Sequence, residues 1–241
     1  MILNIFTSEY RKLKRSLILY IHIIIFIFFP LILGLYYRNK VAYLGQNTIY
    51  TVFYETLAIA SPIMISIVTC LVFDREEKAG KFKNWLSTPF NKVALLQIQL
   101  IFYWLLYFIE IIGVSLIFYL IIDFPIKTYI LPKIILVSTL FSILGFSLYQ
   151  ITFIFSLKWN TSGALIIGIF GVILAFLGIT SLFDNYWVLF PWTWQIRTVI
   201  FWQPNISKLI LNISKIEYLV CLCLIFVISM LSIAICKKWE G

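Results

Sequence analysis

Charge is what this sequence has least of. Only 12% of its 241 residues are Asp, Glu, Lys or Arg, against 62% hydrophobic residues and a mean hydropathy of +1.01. No soluble domain keeps that balance. Acidic residues are the scarcer half, 10 against 19 basic. In a soluble chain the net charge of +9 would suggest nucleic acid. Here the basic residues border apolar runs, where they orient spans and meet anionic membrane lipid, so no nucleic-acid partner is expected. The four cysteines, Cys70, Cys221, Cys223 and Cys236, all fall inside apolar runs and act as small hydrophobes rather than a disulfide or metal framework. One histidine, with no HExxH and no GxSxG, leaves no hydrolase constellation to assign. The chain also lacks a GxxxxGK[ST] loop, so it does not itself hydrolyse ATP in the P-loop manner, and no catalytic, cofactor or metal site is expected on it. A cleavable signal is not expected either, because the first apolar run is too long for one and has no small-residue cleavage site.

What is present is a series of apolar runs: Leu17 to Tyr37, about Thr51 to Phe73, Val93 to Ile122, about Pro132 to Leu157, Gly163 to Phe183 and about Tyr218 to Cys236. Each is long enough to cross about 30 Å of hydrocarbon. The expected fold is an all-α polytopic membrane protein with six transmembrane helices. No repeat or linker divides it, so residues 1–241 read as one domain. The third run exceeds the minimum and must tilt, bend or project beyond the hydrocarbon. The fifth is rich in small residues (Gly163, Ala164, Gly168, Gly171, Ala175, Gly178), which suits close packing on a partner helix, possibly in another subunit. Six spans put both termini on one side. Arg11, Lys12, Lys14, Arg15, Arg75, Lys78, Lys81, Lys83, Lys92, Lys158, Lys237 and Lys238 would share that side, and this majority places both termini in the cytoplasm.

Ile2, Phe6, Tyr10, Leu13 and Leu17 recur at spacings of three and four just before the first span, the pattern of an interfacial elbow helix. The stretch Asp74 to Asn91 is the one long charged interruption in the first half of the chain. At helical spacing Ala79, Phe82 and Leu86, with Trp85 beside them, form an apolar stripe that Pro89 ends, a short amphipathic cytoplasmic helix. At the other side, Asp184 to Lys215 is too apolar for an ordinary loop and holds Trp187, Trp192, Trp194 and Trp202. It is expected to be re-entrant or interfacial, as an aromatic belt or as a surface for an amphipathic substrate. Ile206, Leu209, Ile210, Ile213 and Ile216 outline a further amphipathic helix before the last span. Glu110 lies near the middle of the third span, where an ionisable group should face protein, with a hydrogen bond to a neighbouring span favoured over contact with a cationic substrate. His22, near a span end, is expected to bond a neighbouring helix or headgroups.

The order of an acidic pair, Ala-Gly, Trp-Leu and a proline (Glu76, Glu77, Ala79, Gly80, Phe82, Trp85, Leu86, Pro89) resembles the coupling segment of ABC-2 type transporter permeases. More narrowly, the chain resembles lantibiotic-immunity permeases of the MutG/EpiG kind. The likeness extends to the Ser-Glu-Tyr-x-Lys-x-Lys opening at Ser8 to Lys14, the tyrosine-ended first span and the Pro-Trp segment before the last span. The resemblance implies a cytoplasmic P-loop ATPase partner, in two copies, that carries ATP and Mg. It also implies a second six-span permease subunit and residence in a bacterial plasma membrane. As function it implies expulsion of a lantibiotic or similar amphipathic antimicrobial peptide from the membrane, giving self-immunity. Another ABC-2 cargo, such as a bacitracin-type peptide, and a non-transporting sensor or assembly protein remain the alternatives.

Overall fold

The computed structural model describes residues 2–80, 82, 91–123, 130–203 and 208–239, with backbone alone at 2 and 208–213. Among these residues the chain is helical with no strand. The elements are α1 (Ile2–Leu13), α2 (Leu17–Arg38), α3 (Val41–Leu44), α4 (Gln46–Lys78), α5 (Lys92–Ile122), α6 (Leu131–Leu177), α7 (Pro191–Arg197) and α8 (Lys208–Lys238), with three short 3-10 turns on either side of α7. Five of the helices are long and apolar enough to cross a membrane.

The longest of them, α6, is two spans rather than one. Trp159 and Asn160 leave helical geometry, Asn160 at φ 51°, and the chain reverses there. Both Gly145 and Gly178 abut α7, the first at Gln195 and the second at Thr193 and Ile196. A straight helix would hold them about 50 Å apart. The six expected spans are therefore present, the fourth and fifth being the arms 131–158 and 161–177 of α6. The turn expected at Lys158 to Ser162 shrinks to its first residues, and the fifth span ends at Leu177, where 3-10 turns take over.

α4 lies at the centre. Apolar and aromatic side chains are buried along its whole length, from Ile49 and Tyr50 to Val72 and Phe73. Hydrocarbon solvates leucine as well as a neighbouring helix does, so what selects this arrangement is close packing and the pairing of polar groups. Phe53 stacks on Phe118 of α5 with ring centroids 4.0 Å apart. The small-residue face of the second α6 arm lies against α4: a Cβ at Gly168 would strike the Ser66 side chain, and one at Gly171 would meet Pro62 and Trp192. The partner of that stripe is thus a helix of the same chain. Its opposite face, Leu165, Ile166, Ile169, Phe170, Ile173 and Phe176, is exposed, as befits a surface turned to lipid. Ser61, Thr69, Ser142, Thr152 and Ser156 return their hydroxyls to carbonyls one turn back, so each is satisfied without a partner helix.

α2 shows the reverse pattern. Only Ile18, His22, Pro30 and Gly34 are buried, a narrow stripe at spacings of four and eight that meets α5. Gly34 faces Ile121 and Gly113 receives Phe26. At the start of α5 the Asn91 side chain accepts a hydrogen bond from the Val93 N–H at 2.9 Å and caps the helix. The amphipathic helix expected before the last span is not a separate element: from Lys208 the backbone runs unbroken into α8. Pro204 and Ile206 lie outside the described residues, and so do the side chains of Leu209, Ile210 and Ile213.

Candidate functional site

α1, the end of α4 and Trp239 after α8 meet at one end of the bundle, here called basal. A carboxylate on α1 and one on α4 are both sequestered there: Glu9 is 3% exposed and Glu76 2% exposed. Arg75 Nη2 donates to Glu9 Oε2 and to Glu76 Oε1, each at 3.0 Å. Lys12 Nζ spans the same two residues, 2.9 Å from Glu9 Oε1 and 2.8 Å from Glu76 Oε1. The Tyr103 hydroxyl of α5 completes the ring by donating to Glu9 Oε2 at 3.2 Å. Two buried carboxylates would repel, and each would lose its hydration; two cations and a phenol replace what is lost. The outcome is an ionic clasp joining the elbow helix to the last turn of α4 and to α5. The sequence carried its signal in the lone acid of the Ser8 to Lys14 opening. Arg75 and Tyr103 carried none, because the pairing lies 66 and 94 residues along the chain.

Just beyond the clasp the expected amphipathic helix is interrupted. α4 stops at Lys78, Gly80 has φ 148° and Phe82 φ 61°. Positive φ at two positions ends the helical register, so Ala79 and Phe82, expected on one apolar stripe, do not share a face of one continuous helix. Phe82 also turns inward rather than toward a partner. It is 6% exposed and packs edge-on against Phe73 and Trp239, at 6.1 and 5.5 Å. Lys92 Nζ donates to the Trp239 carbonyl, which holds the C-terminal end of α8 to the same corner. Lys78 and Ala79 stay exposed, and Glu77 and Gly80 are half-buried. Trp85, Leu86 and Pro89 lie outside the described residues, as do Lys81 and Lys83.

Glu110 is 4% exposed, and its Oε2 lies 2.5 Å from Nδ1 of His22 on α2. The second atoms of the pair, Glu110 Oε1 and His22 Nε2, are buried without a hydrogen-bond partner among the described residues. The expectation for Glu110 named a neighbouring span but not this histidine, 88 residues away.

At the far end, here the cap, the Trp-rich segment folds inward. Trp194 is 0% exposed, Trp202 1% and Trp187 5%. Trp202 stacks on Tyr50 of α4 with centroids 4.4 Å apart, while the Lys133 ammonium stands 4.3 Å from its ring centre on α6. Gln195 Nε2 donates to the Tyr107 hydroxyl at 2.7 Å and to the Phe141 carbonyl at 2.9 Å, and that hydroxyl lies 2.9 Å from Ser61. One α7 side chain thus bonds directly to α5 and α6, and reaches α4 through the Tyr107 hydroxyl. Trp192, the half-buried member, rests edge-on against Phe170. A belt would turn these indoles to the headgroups, and a peptide surface would leave them open. Three of the four instead form the cap's own core, because Pro191 starts a short helix that carries Trp194 beneath the segment's own backbone, where its N–H meets the Val188 carbonyl at 2.9 Å.

A bundle of lipid-faced helices, an elbow helix clasped to the last turn of α4 and a folded cap define a multi-pass helical membrane protein. Residues 5–178 match the family of ABC-2 family transporter proteins. The chain belongs to that family and is a permease of the ABC-transporter type. No curated protein matches it.

Proposed function

We propose that this chain is one permease of an exporter driven by a separate cytoplasmic P-loop ATPase, present in two copies, with a second six-span permease beside it. The basal end is the cytoplasmic end, since most of the basic residues fall there. The cargo is a lantibiotic or similar amphipathic antimicrobial peptide, taken from the bacterial plasma membrane and released outside, which protects the cell that makes it. The observation that carries the reading is the Glu9–Lys12–Arg75–Glu76 clasp. A displacement of the segment 78–91 by a docked ATPase would reach α1, α4 and α5 through it without further side chains. For the cargo the support is the resemblance of the acidic pair, Ala-Gly and Trp-Leu-x-x-Pro order to immunity permeases.

Co-expression with the ATPase encoded nearest to it tests the reading. Leu86→Asp should abolish co-purification of the ATPase while membrane abundance stays normal. Phe82→Asp should lower abundance itself, since Phe82 is packed inside. Cells carrying the intact pair should survive a cognate lantibiotic better than cells with the Leu86→Asp permease, and should gain nothing against an unrelated membrane toxin. Undiminished co-purification would remove the docking role of the segment, and equal survival would remove the cargo.

A further inference from the structure

At the cap end, between the Trp-rich segment and the first turns of α8, a cleft of about 270 Å³ opens to the surface. Its walls include Asp184, Trp187, Arg197, Gln203, Glu217 and Tyr218, all beyond the residues 5–178 matched by the family. The charges in it are unequal in availability. Arg197 Nη1 already donates to Asp184 Oδ1 at 2.7 Å and its Nη2 to the Thr180 carbonyl at 3.5 Å, so its two terminal nitrogens are engaged by its own segment, while its Nε is buried with no hydrogen-bond partner among the described residues. Glu217 forms no hydrogen bond or ion pair among the described residues and is half-buried at the cleft wall. Beside it the Tyr218 side chain is 6% exposed and its hydroxyl is buried with no hydrogen-bond partner among the described residues. Trp187 stands edge-on to Tyr218 at 5.5 Å, and Phe201 stacks on the other side of Tyr218 at 5.6 Å.

One unspent carboxylate, a phenol in need of a partner and an aromatic wall are the groups that recognise an organic cation: the carboxylate supplies charge and the ring faces attract the ammonium. An anion would meet a net negative wall. A large apolar ligand would not fit, because the volume is below the range of ordinary ligand pockets, about 300 to 1,000 Å³. We propose that this cleft binds the primary ammonium of an ethanolamine phospholipid headgroup at the cap side of the membrane, since Ile216, Leu219 and Val220 beside it on α8 are exposed apolar surface suited to lipid chains. The inference goes beyond the proposed export function and needs neither the ATPase nor a cargo, so either can fail without the other.

The full chain, purified into nanodiscs of phosphatidylglycerol alone, is titrated with dansylcadaverine, a fluorophore ending in a primary amine, and with its N-acetylated form. Saturable binding of the amine and none of the acetylated probe is expected. Glu217→Gln should weaken the amine about tenfold, the loss of one charge-assisted contact. Glu217→Asp, which keeps the charge, should stay within about threefold of the natural chain. Tyr218→Phe, which keeps the packing, should weaken binding by a smaller factor than Glu217→Gln. Phosphatidylethanolamine added to the disc should block the probe; displacement by acetyl-lysine amide with no change on adding the lipid would mean a peptide amine instead and overturn the proposal. Equal binding of the acetylated probe, no loss in Glu217→Gln at unchanged elution volume, or failure of both competitors overturns the proposal.

Discussion

A carboxyl group in the middle of a span is costly unless something replaces its water. For Glu110 that something is a single imidazole, 2.5 Å away, on a helix otherwise turned to lipid. Removing one partner leaves the other buried and unpaired, whereas removing both together exchanges a polar contact for an apolar one. Glu110→Leu should therefore lower the melting temperature in detergent by the equivalent of about 1 to 3 kcal/mol. Adding His22→Phe to it should recover most of the loss, and a double variant no more stable than Glu110→Leu would show that the pair is not the unit of stability. Trp202 makes a second case. A fully buried indole stacked on Tyr50 is core, and Trp202→Ala should cost about 3 to 5 kcal/mol, read as a fall in membrane abundance before any change in transport. That Glu110 faces protein could be read from its position in an apolar run. That His22 answers it could not, because contacts between helices leave no local spacing. Trp202 was legible as interfacial by residue type, yet type does not tell an anchor facing headgroups from a ring folded under a cap.

The elements follow the same division. Apolar runs predicted where the spans begin and end to within a few residues for α2 and α5, and the Trp159–Asn160 break was legible as a short polar turn between apolar arms. At the basal end periodicity put Ala79 and Phe82 on one stripe, and Gly80 with Phe82 at positive φ separates those two, while residues 83–90 of the expected helix lie outside the described residues. What periodicity cannot supply is the clasp, a contact of α1 with α4. If Glu9 and Arg75 act as one unit, Glu9→Gln and Arg75→Met should each destabilise the chain, and the double variant should lose much less than their sum. The coupling expected for buried, hydrogen-bonded charges is about 1 to 3 kcal/mol. Thermal melts of the four proteins decide it, with additive losses the result against the clasp. High salt should change the coupling little, since both carboxylates are nearly inaccessible.

For the whole molecule, the even number of crossings places α1, the Lys158 turn and the end of α8 at one end, and Asp184 with α7 at the other. In a version with its four cysteines replaced, Lys158→Cys and Lys237→Cys should react with an impermeant maleimide only after the cells are opened, and Asp184→Cys should react in intact cells. Labelling of Lys158→Cys and Asp184→Cys from the same side would exclude the six-span topology. The class and span count were readable because a bilayer demands apolar length, a property of composition. The cap was not, since its fold depends on hydrogen bonds such as that from Gln195 to Tyr107, 88 residues apart.

α4 takes part in both ends at once. Its 33 residues make a rod about 50 Å long, pinned through Arg75 and Glu76 at one end and under Trp202 by Tyr50 and Tyr54 at the other. A tilt of about 5° displaces an end by about 4 Å, more than a hydrogen bond can stretch. Between the pins stands Pro62, which removes one rung of the helix's own ladder opposite Gly168 and Gly171. A stiff rod passes the whole of a movement from one face of the membrane to the other, and a rod that gives at residue 62 lets the two faces slip. In the exporter proposed above, how much of a movement at the basal end reaches the cap then becomes a property of one proline and the two glycines it rests on.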